Sequence, residues 1–214
     1  MSDAALLEAP VRDGAEFAAR TGATAAQVAD LERLLALLTE WNGRMNLVSE
    51  ASLADSWGRH VLDSAQLLPV APSARVWVDI GAGAGFPGLV LAILLNGVAG
   101  AKVHLVESQA KRCRFLEAAV SALALPAEVH HVRGEDFTLK ADVVTARAVA
   151  PLVRLLGFAH PCLAKGGIGL FLKSESVETE IAEARKAWRF TYDVSRSVSD
   201  SRGRIVRVEG LARA

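Results

Sequence analysis

The sequence is short of cysteine, has no excess of charge of either sign and contains no long apolar run. Its 214 residues include two cysteines, Cys113 and Cys162, which are too few and too far apart for a disulfide scaffold or a cysteine-rich metal site. We therefore expect both to be reduced core thiols. Basic and acidic side chains number 24 each, so the formal charge is zero. A neutral chain is a poor candidate for indiscriminate nucleic-acid binding, although it is compatible with a local basic patch.

Two further absences concern membranes and export. The longest apolar segment, near residues 89–95, is far too short to span a bilayer. The first residues carry acidic side chains and lack a basic start followed by an apolar stretch, so we expect no signal peptide. A cytoplasmic protein without membrane association is the expectation.

Two kinds of pattern divide the chain. Residues 1–70 are predicted to form a helical extension. One helix begins at the capping-box pair Thr24 and Gln27 and ends at Asn42-Gly43, and a second covers about 52–68. From residue 71 onward, strands and helices alternate, which is typical of βαβ units. The predicted strands are 75–80, 102–107, 127–132, 141–145 and 167–172; the predicted helices are 88–96, 109–124, 149–163 and 176–187.

The chain ends in two strand-like runs, 190–199 and 205–211, joined by a turn that is typical of a hairpin. The sequence therefore predicts a single domain over residues 1–214. Its core, 71–214, is an α/β fold with a doubly wound, mostly parallel sheet that ends in an antiparallel hairpin.

A glycine-rich turn follows the first predicted strand. Its alternating glycines, Gly81, Gly83 and Gly85, leave the backbone bare, so that an adenosyl cofactor can lie against main-chain amides. Such glycines can also serve only to pack a helix on a strand. Asp79, two residues earlier, distinguishes between cofactors, because an anion there repels a pyrophosphate but can orient the amino end of S-adenosylmethionine.

Two further turns are expected at the same edge of the sheet. Glu107 closes the second strand, where a carboxylate can accept hydrogen bonds from both ribose hydroxyls of an adenosine. NAD-binding proteins have an acidic residue at the same place, so Glu107 does not distinguish S-adenosylmethionine from NAD as the cofactor. Gly134 and Glu135 follow the third strand, either as the adenine side of the site or as an acidic surface turn. Carboxyl ends of consecutive parallel strands form one crevice, the usual ligand site of an open α/β sheet.

If the cofactor is S-adenosylmethionine, the residues after the fourth predicted strand limit which kind of atom can accept its methyl group. The Asn/Asp-Pro-Pro-aromatic motif typical of amino-group methylation is absent there. Cys162 follows a proline, as a pyrimidine-attacking nucleophile often does, but it comes one element too late and is interpreted as structural. An acceptor that is already nucleophilic, such as a ring nitrogen, therefore remains. Arg147 is placed to contact a phosphate or a base, or else is a surface ion-pair partner.

Polar and basic residues outside the sheet are candidates for RNA contacts. Arg59, His60 and Asp63 share one face of the second predicted helix, either as caps with a structural His–Asp pair or as part of a site. Lys111 and Arg112 begin the helix after Glu107, and further basic residues, Lys173 among them, occur late in the chain. A neutral chain with local basic groups suits docking on structured RNA through selected phosphates.

Taken together, these segments resemble a known family, the bacterial small-subunit ribosomal-RNA guanine-N7 methyltransferases, also called glucose-inhibited division protein B. The most specific matches are Arg-His-x-Leu-Asp-Ser at 59–64 and the Phe-Pro-Gly that extends the glycine turn at 86–88. Other matching segments lie at 41–47, 107–116, 133–137, 146–148 and 172–174, in the family's order. The residue at 45 is methionine, where an aromatic residue is common, so a stacking role there is in doubt.

The resemblance implies a Rossmann-like class I methyltransferase fold with S-adenosylmethionine as cofactor. It implies a guanine N7 in the decoding-region loop of 16S ribosomal RNA as acceptor, with the small ribosomal subunit as partner of a monomeric enzyme. N7 carries no proton, so neither a general base nor a nucleophilic cysteine is expected, and no metal-binding residues are predicted. Arg147 is implied at the reaction site, in contact with the cofactor. The expected cofactor residues are Asp79, Gly81, Gly83, Gly85, Phe86, Glu107, Gly134, Glu135 and Arg147; the expected RNA-binding residues are Arg59, His60, Lys111, Arg112 and Lys173.

Alternative interpretations come from three classes. One is a class I methyltransferase that acts on another RNA, a protein or a small molecule. The second is an NAD(P)-dependent oxidoreductase, which Asp79 disfavours. The third is a non-catalytic RNA-binding module for ribosome assembly.

Overall fold

The computed structural model describes residues 10–214, and residues 1–9, which belong to the segment used for the signal-peptide prediction, lie outside it. Three helices begin the described chain: α1 (Gly14–Thr21), α2 (Ala25–Met45) and α3 (Glu50–Ala54). The predicted capping box is confirmed, because the Thr24 side chain accepts the Gln27 N–H and the Gln27 side chain accepts the Thr24 N–H. No helix among residues 10–214 is long and apolar enough to cross a membrane.

The predicted end of α2 at Asn42-Gly43 is wrong, since the helix continues to Met45. Asn42 is buried, and its side chain accepts the N–H of Val48 at 2.9 Å. Its carbonyl accepts from Asn46, whose left-handed backbone (φ 49°) ends the helix. Tertiary burial of Asn42 thus overrides the local tendency of Asn-Gly to form a turn.

The second predicted helix, 52–68, is not continuous. It is divided into α3, a π-helical segment (Trp57–Leu62), the short α4 (Asp63–Ala65) and a 3₁₀ turn (Leu68–Val70). The carbonyl of Arg59 accepts a hydrogen bond from the guanidinium of Arg147 at 2.7 Å. The N–H of Asp63 donates instead to the carbonyl of Gly58, at the wider π spacing, and to that of His60. A tertiary contact with Arg147 therefore accompanies the change of helix type.

Within residues 10–214, seven strands form one sheet in the order β3-β2-β1-β4-β5-β7-β6. Strands β1 to β5 are parallel, and β7 pairs antiparallel with both β5 and β6. The predicted doubly wound sheet with a C-terminal antiparallel hairpin is confirmed. The strands are β1 (Val76–Ile80), β2 (Lys102–Glu107), β3 (Ala127–His131), β4 (Ala141–Arg147), β5 (Leu163–Lys173), β6 (Trp188–Arg196) and β7 (Arg204–Arg213).

Helices cover the sheet on both faces: α5 (Gly88–Leu94), α6 (Ala110–Ala122), α7 (Leu152–Ala159) and α8 (Val177–Ala184), with a 3₁₀ turn at Gly134–Asp136. The helix α7 is shorter than the predicted 149–163, because Pro151 precedes its first residue and β5 already begins at Leu163. Cys162 consequently lies in the turn between them and not in a helix. Both cysteines are buried and free, and burial raises the pKa of the Cys162 thiol to about 11.

The N-terminal helices share a core with one face of the sheet. Phe17, Leu31 and Leu38 are fully buried in the same hydrophobic cluster as Trp77 of β1 and Leu89 of α5. Burying a side chain of this size contributes roughly 1.5–3 kcal/mol. The extension is therefore packed on the core, and it brings the π-helical segment to the carboxyl end of β4.

Candidate active site

The polar turns predicted from the sequence meet at one edge of the sheet, beyond the carboxyl ends of the parallel strands. The glycine turn follows β1, Glu107 ends β2, the 3₁₀ turn with Gly134 follows β3, and Arg147 ends β4. In an open α/β sheet this edge is where ligands bind, at the point where the strand order reverses. Here the order reverses between β1 and β4.

The three glycines of the turn have different roles. All have positive φ, at 70°, 57° and 87° for Gly81, Gly83 and Gly85. A Cβ on Gly85 would collide with Leu89, so this glycine is needed for packing. A Cβ on Gly83 would meet nothing closer than the Gly81 carbonyl oxygen at 3.6 Å, so the space in front of Gly83 is open. Gly83 is therefore the position where a ligand can approach the backbone.

Asp79 is fully buried and contacts the first turn of α5. Its Oδ2 accepts the N–H of Gly88 at 2.8 Å, while Oδ1 has no hydrogen-bond partner among the described residues. Burial raises the pKa of this carboxyl from 3.8 to about 7, although the Gly88 hydrogen bond and Arg147 oppose that shift. The side chain lines neither pocket described below, so an influence on the cofactor would pass through the loop that it holds.

Glu107 joins the glycine turn to the turn after β2. Its carboxylate accepts the N–H of Gly83 at 3.0 Å and the N–H of Gln109 at 2.8 Å, and Arg112 lies 3.8 Å away. Each carboxylate oxygen can accept two hydrogen bonds. Acceptor capacity for ribose hydroxyls therefore remains at both oxygens.

A pocket of about 180 Å³ lies beside these turns. Its wall includes Ile80, Val106 and Phe158, with Gly134 between them, and a Cβ on Gly134 would come within 2.9 Å of Ile80 Cγ2. Glu135 stands at the rim, 3.7 Å from Arg133 and 4.0 Å from Arg154. A slot with these apolar walls and a charged rim is suited to a flat polar ring such as adenine.

A second, larger pocket of about 580 Å³ lies beyond the carboxyl ends of β4 and β5. It is lined by polar and charged residues from the π-helical segment, from the end of β5 and from the turn between β6 and β7: Arg59, His60, Asp63, Arg147, Lys173, Asp200 and Arg204, among others. The segment 148–150 separates the two pockets, because Ala148 lines the larger and Val149 and Ala150 line the smaller.

Arg147 is fixed in the larger pocket by three hydrogen bonds. Its Nη1 donates to the Arg59 carbonyl at 2.7 Å and to Asp63 Oδ2 at 3.2 Å, and its Nη2 lies 3.0 Å from His60 Nδ1. The guanidinium also lies over the ring of Phe86, with Cζ 5.3 Å from the ring centroid. Its side chain is 19% exposed, so the charge is held at the pocket wall and not in bulk solvent.

His60 is stacked on Phe86, with ring centroids 4.5 Å apart and planes 12° from parallel. Burial, with Arg147 and Arg59 nearby, lowers the pKa of His60 to about 3. The imidazole is thus neutral near pH 7 and accepts from Arg147 through Nδ1. The sequence allows a His60–Asp63 pair. In the structure, both side chains form hydrogen bonds to the guanidinium of Arg147.

The remaining predicted RNA contacts fall into two groups. Arg59 and Lys173 line the larger pocket, but the Lys173 ammonium is bound to Glu180 at 2.7 Å and to the Ala150 carbonyl at 3.1 Å. Lys111 and Arg112 lie at the start of α6 and line neither pocket; Lys111 is exposed, and Arg112 faces Glu107. The structure therefore brings Arg59, His60 and Lys173 together and keeps Lys111 and Arg112 apart from them.

Sequence reasoning missed the contribution of the C-terminal hairpin. Ser197 and Ser199 donate to Asp63 Oδ1 at 3.2 and 2.6 Å, and Gln66 donates to the same oxygen at 2.9 Å. Asp63 thereby connects Arg147 to the hairpin. The only signal in the sequence was a pair of serines, Ser197 and Ser199, close to the hairpin turn. Such pairs are too common to identify a site.

Fold and site together define the class of protein. The strand order with its antiparallel hairpin, the glycine turn and the acidic end of β2 are those of a class I methyltransferase that uses S-adenosylmethionine. In agreement with this fold, a solved structure described as an S-adenosylmethionine-dependent methyltransferase from Aquifex aeolicus superposes with a TM-score of 0.58 at 13% identity, over 82% of this chain and 97% of that one.

Sequence comparisons give the particular family. The model described as rRNA small subunit methyltransferase G matches residues 27–206. Ribosomal RNA small subunit methyltransferase G from Caulobacter vibrioides (strain NA1000 / CB15N) is 59% identical, over 99% of this chain and 98% of its own length. The protein of the same name from Parvibaculum lavamentivorans is 48% identical, over 85% and 83%. The chain belongs to the rRNA small subunit methyltransferase G family, which confirms the resemblance and S-adenosylmethionine as cofactor.

Proposed function

We propose that the chain methylates N7 of a guanine in the decoding-region loop of 16S ribosomal RNA, with Arg147 at the reacting centre. The observation that carries this proposal is the position of Arg147. It ends β4, immediately before the segment that separates the smaller pocket from the larger polar pocket. A methyl donor in the first pocket and a base in the second would meet beside this guanidinium.

Arg147 can act on the acceptor without leaving its partners. A guanidinium has five N–H groups, and the bonds to Arg59, Asp63 and His60 use three of them. Two N–H groups therefore remain available, among the residues that the structure describes, for a phosphate or a guanine O6. Because the fixed side chain loses little rotamer freedom on binding, this arrangement favours positioning of the acceptor.

Among the described residues, the side chains that contact Arg147 are poorly suited to remove a proton. Both oxygens of Asp63 already accept hydrogen bonds, Oδ2 from Arg147 and Oδ1 from Gln66, Ser197 and Ser199. His60 is neutral, but its pKa of about 3 makes it a very weak base, and Asp79 is sealed from both pockets. When bound, S-adenosylmethionine supplies an electrophilic methyl group. Guanine N7 offers a lone pair and carries no proton, so positioning and electrostatics suffice. An amino group or a pyrimidine carbon would need chemistry that these side chains do not provide.

The predicted site assignments fit this scheme. The glycine turn with Phe86, Glu107, Gly134 and Glu135 would hold the cofactor, with Asp79 supporting the turn. Arg59 and His60 would face the RNA in the larger pocket, and Lys111 and Arg112 would contact RNA beyond it. Lys173 would contribute once its ion pair with Glu180 opens. We further propose that extension and core act as one monomeric unit on the small subunit, in the cytoplasm.

The test uses purified small ribosomal subunits that lack the modification, incubated with the protein and methyl-labelled S-adenosylmethionine. We expect label in the 16S RNA. Free 16S RNA tests whether the assembled subunit is needed. Transfer RNA and bulk small-molecule extract serve as competing acceptors, and label only in one of these two would support a different methyltransferase. Absence of label from all of them, with normal S-adenosylmethionine binding by calorimetry, would favour the non-catalytic assembly module.

A further inference from the structure

A cluster of two histidines and a glutamate lies on the sheet away from both pockets. His104 of β2 and Glu128 and His130 of the edge strand β3 have side-chain ligand atoms that all lie within 4.8 Å of one another. His104 is three residues before Glu107, which along a strand is about 10 Å. The proposed methyl transfer uses none of the three residues.

We propose that this cluster, named here the His104–Glu128–His130 site, binds one divalent transition-metal ion of the zinc class. Imidazole nitrogens with one carboxylate oxygen are a ligand set that Zn²⁺, Co²⁺ and Ni²⁺ accept. With three protein ligands, a fourth position would remain for water.

The distance between the two imidazoles fits a shared ion. His104 Nδ1 and His130 Nε2 are 2.9 Å apart. Two nitrogens that each lie about 2.0–2.1 Å from one ion are separated by about 2.9 Å at a right angle and about 3.3 Å at the tetrahedral angle. Without an ion, the same distance is that of an N–H···N hydrogen bond. A shift of a few tenths of an ångström, with a change of tautomer in the donor ring, would convert one state into the other.

The third ligand can reach the site by side-chain rotation alone. Glu128 Oε1 is 3.9 Å from His130 Nε2, and the Glu128 side chain is 54% exposed. Its present partner is the ammonium of Lys102 at 3.6 Å, an exposed ion pair of the kind that contributes little stability. Moving Glu128 onto a cation would therefore cost little.

The surroundings favour neutral imidazoles held in place. Phe137 packs against both rings, with centroids 4.7 Å from that of His130 and 6.4 Å from that of His104. Burial lowers the pKa of His104 and of His130, against the opposing effect of Glu128. Neutral imidazole is the form that binds metal. The ring that donates the present hydrogen bond would carry its proton on its other nitrogen when the ion is bound.

The experiment is titration of tag-free, metal-stripped protein with Co²⁺, followed by visible d–d absorption and by equilibrium dialysis, with Zn²⁺ as competitor. We expect one Co²⁺ per chain, displaced by Zn²⁺. Glu128→Gln should weaken binding by at least about tenfold, and His130→Ala should abolish it. His131→Ala is the matched control, since His131 is the exposed neighbour on the same strand, and it should bind as the wild type does.

Three results would overturn the proposal: no saturable Co²⁺ binding, binding unaffected by Glu128→Gln, or binding lost in His131→Ala. Glu128 is at the surface, so its variant folds even if a histidine variant does not, and circular dichroism checks each protein. The readout is independent of methyl transfer. Failure here would leave the proposed function untouched.

Discussion

Replacing Arg147 with lysine tests whether the geometry of the guanidinium, and not only its charge, positions the acceptor. The wild-type side chain makes three hydrogen bonds from two nitrogens, to Arg59, Asp63 and His60. A lysine has one nitrogen at the end of a flexible stem and cannot bridge the same three acceptors. We expect it to keep one of the contacts and to lose two.

The expected magnitude follows from the two lost bonds. Each contributes about 1–1.5 kcal/mol net, so roughly 2–3 kcal/mol of positioning is lost. If this loss appears in the transition state, kcat/KM falls roughly 30- to 150-fold, at about 1.4 kcal/mol per factor of ten. The affinity for S-adenosylmethionine should fall less than kcat/KM, because Arg147 lines the larger pocket and not the smaller one.

The assay is the initial rate of methyl transfer to small subunits, paired with calorimetry of S-adenosylmethionine binding. Arg33→Lys is the control: Arg33 also pairs with an aspartate, Asp30, but on the exposed surface of α2 far from the site. A rate for Arg147→Lys within twofold of wild type, with the fold intact, would refute the positioning role.

Three other predictions concern the cofactor turn and the buried groups. Gly83→Val and the control Gly97→Val both place a side chain at positive φ in open space, so each should lose roughly 1–2 kcal/mol of stability. Only Gly83→Val should weaken S-adenosylmethionine binding, measured by calorimetry. Equal affinity in the two variants would refute the assignment of the glycine turn to the cofactor. Asp79 has a folded-state pKa raised to about 7, so its contribution to stability is present below pH 3.8 and is lost as pH rises through 7. The unfolding free energy of Asp79→Asn, measured by urea titration relative to wild type, should therefore increase from pH 5 to pH 8. A difference that stays constant over this range would contradict the raised pKa of Asp79. The pKa of His60 is lowered to about 3, so its stability contribution is lost as pH falls from 6.5 toward 3, and its NMR signals should show no protonation step between pH 8 and pH 5.

Local pattern was enough to predict the sheet and the glycine turn. Short β-branched runs alternate with helical periods through most of the core, and Gly81, Gly83 and Gly85 sit where positive φ is needed. The predicted start of α7 failed for a local reason, Pro151, whereas the other two helix predictions that failed have tertiary causes. Burial of Asn42 extended α2, and the Arg147 guanidinium, from a distant strand, bonded to the helix carbonyl of Arg59.

The same distinction applies to the site. Motif reading selected Arg147, His60 and Phe86 one by one, but their stacking and shared hydrogen bonds depend on how a π-helical segment packs on the end of β4. The connection from Asp63 to the hairpin spans more than 130 residues of sequence, so no local pattern could reveal it. Likewise His104 and His130 come together only because β2 and β3 are neighbours.

The central claim is that the site methylates one ring nitrogen of one guanine. The most direct measurement is mapping of the modified nucleotide in 16S RNA, by mass spectrometry of nuclease fragments, after reaction of small subunits with the wild-type protein. We expect a single N7-methylguanine in the decoding-region loop, which is lost with Arg147→Ala. Methylation of an exocyclic amino group or of a pyrimidine carbon would contradict it, as would an unchanged yield with Arg147→Ala.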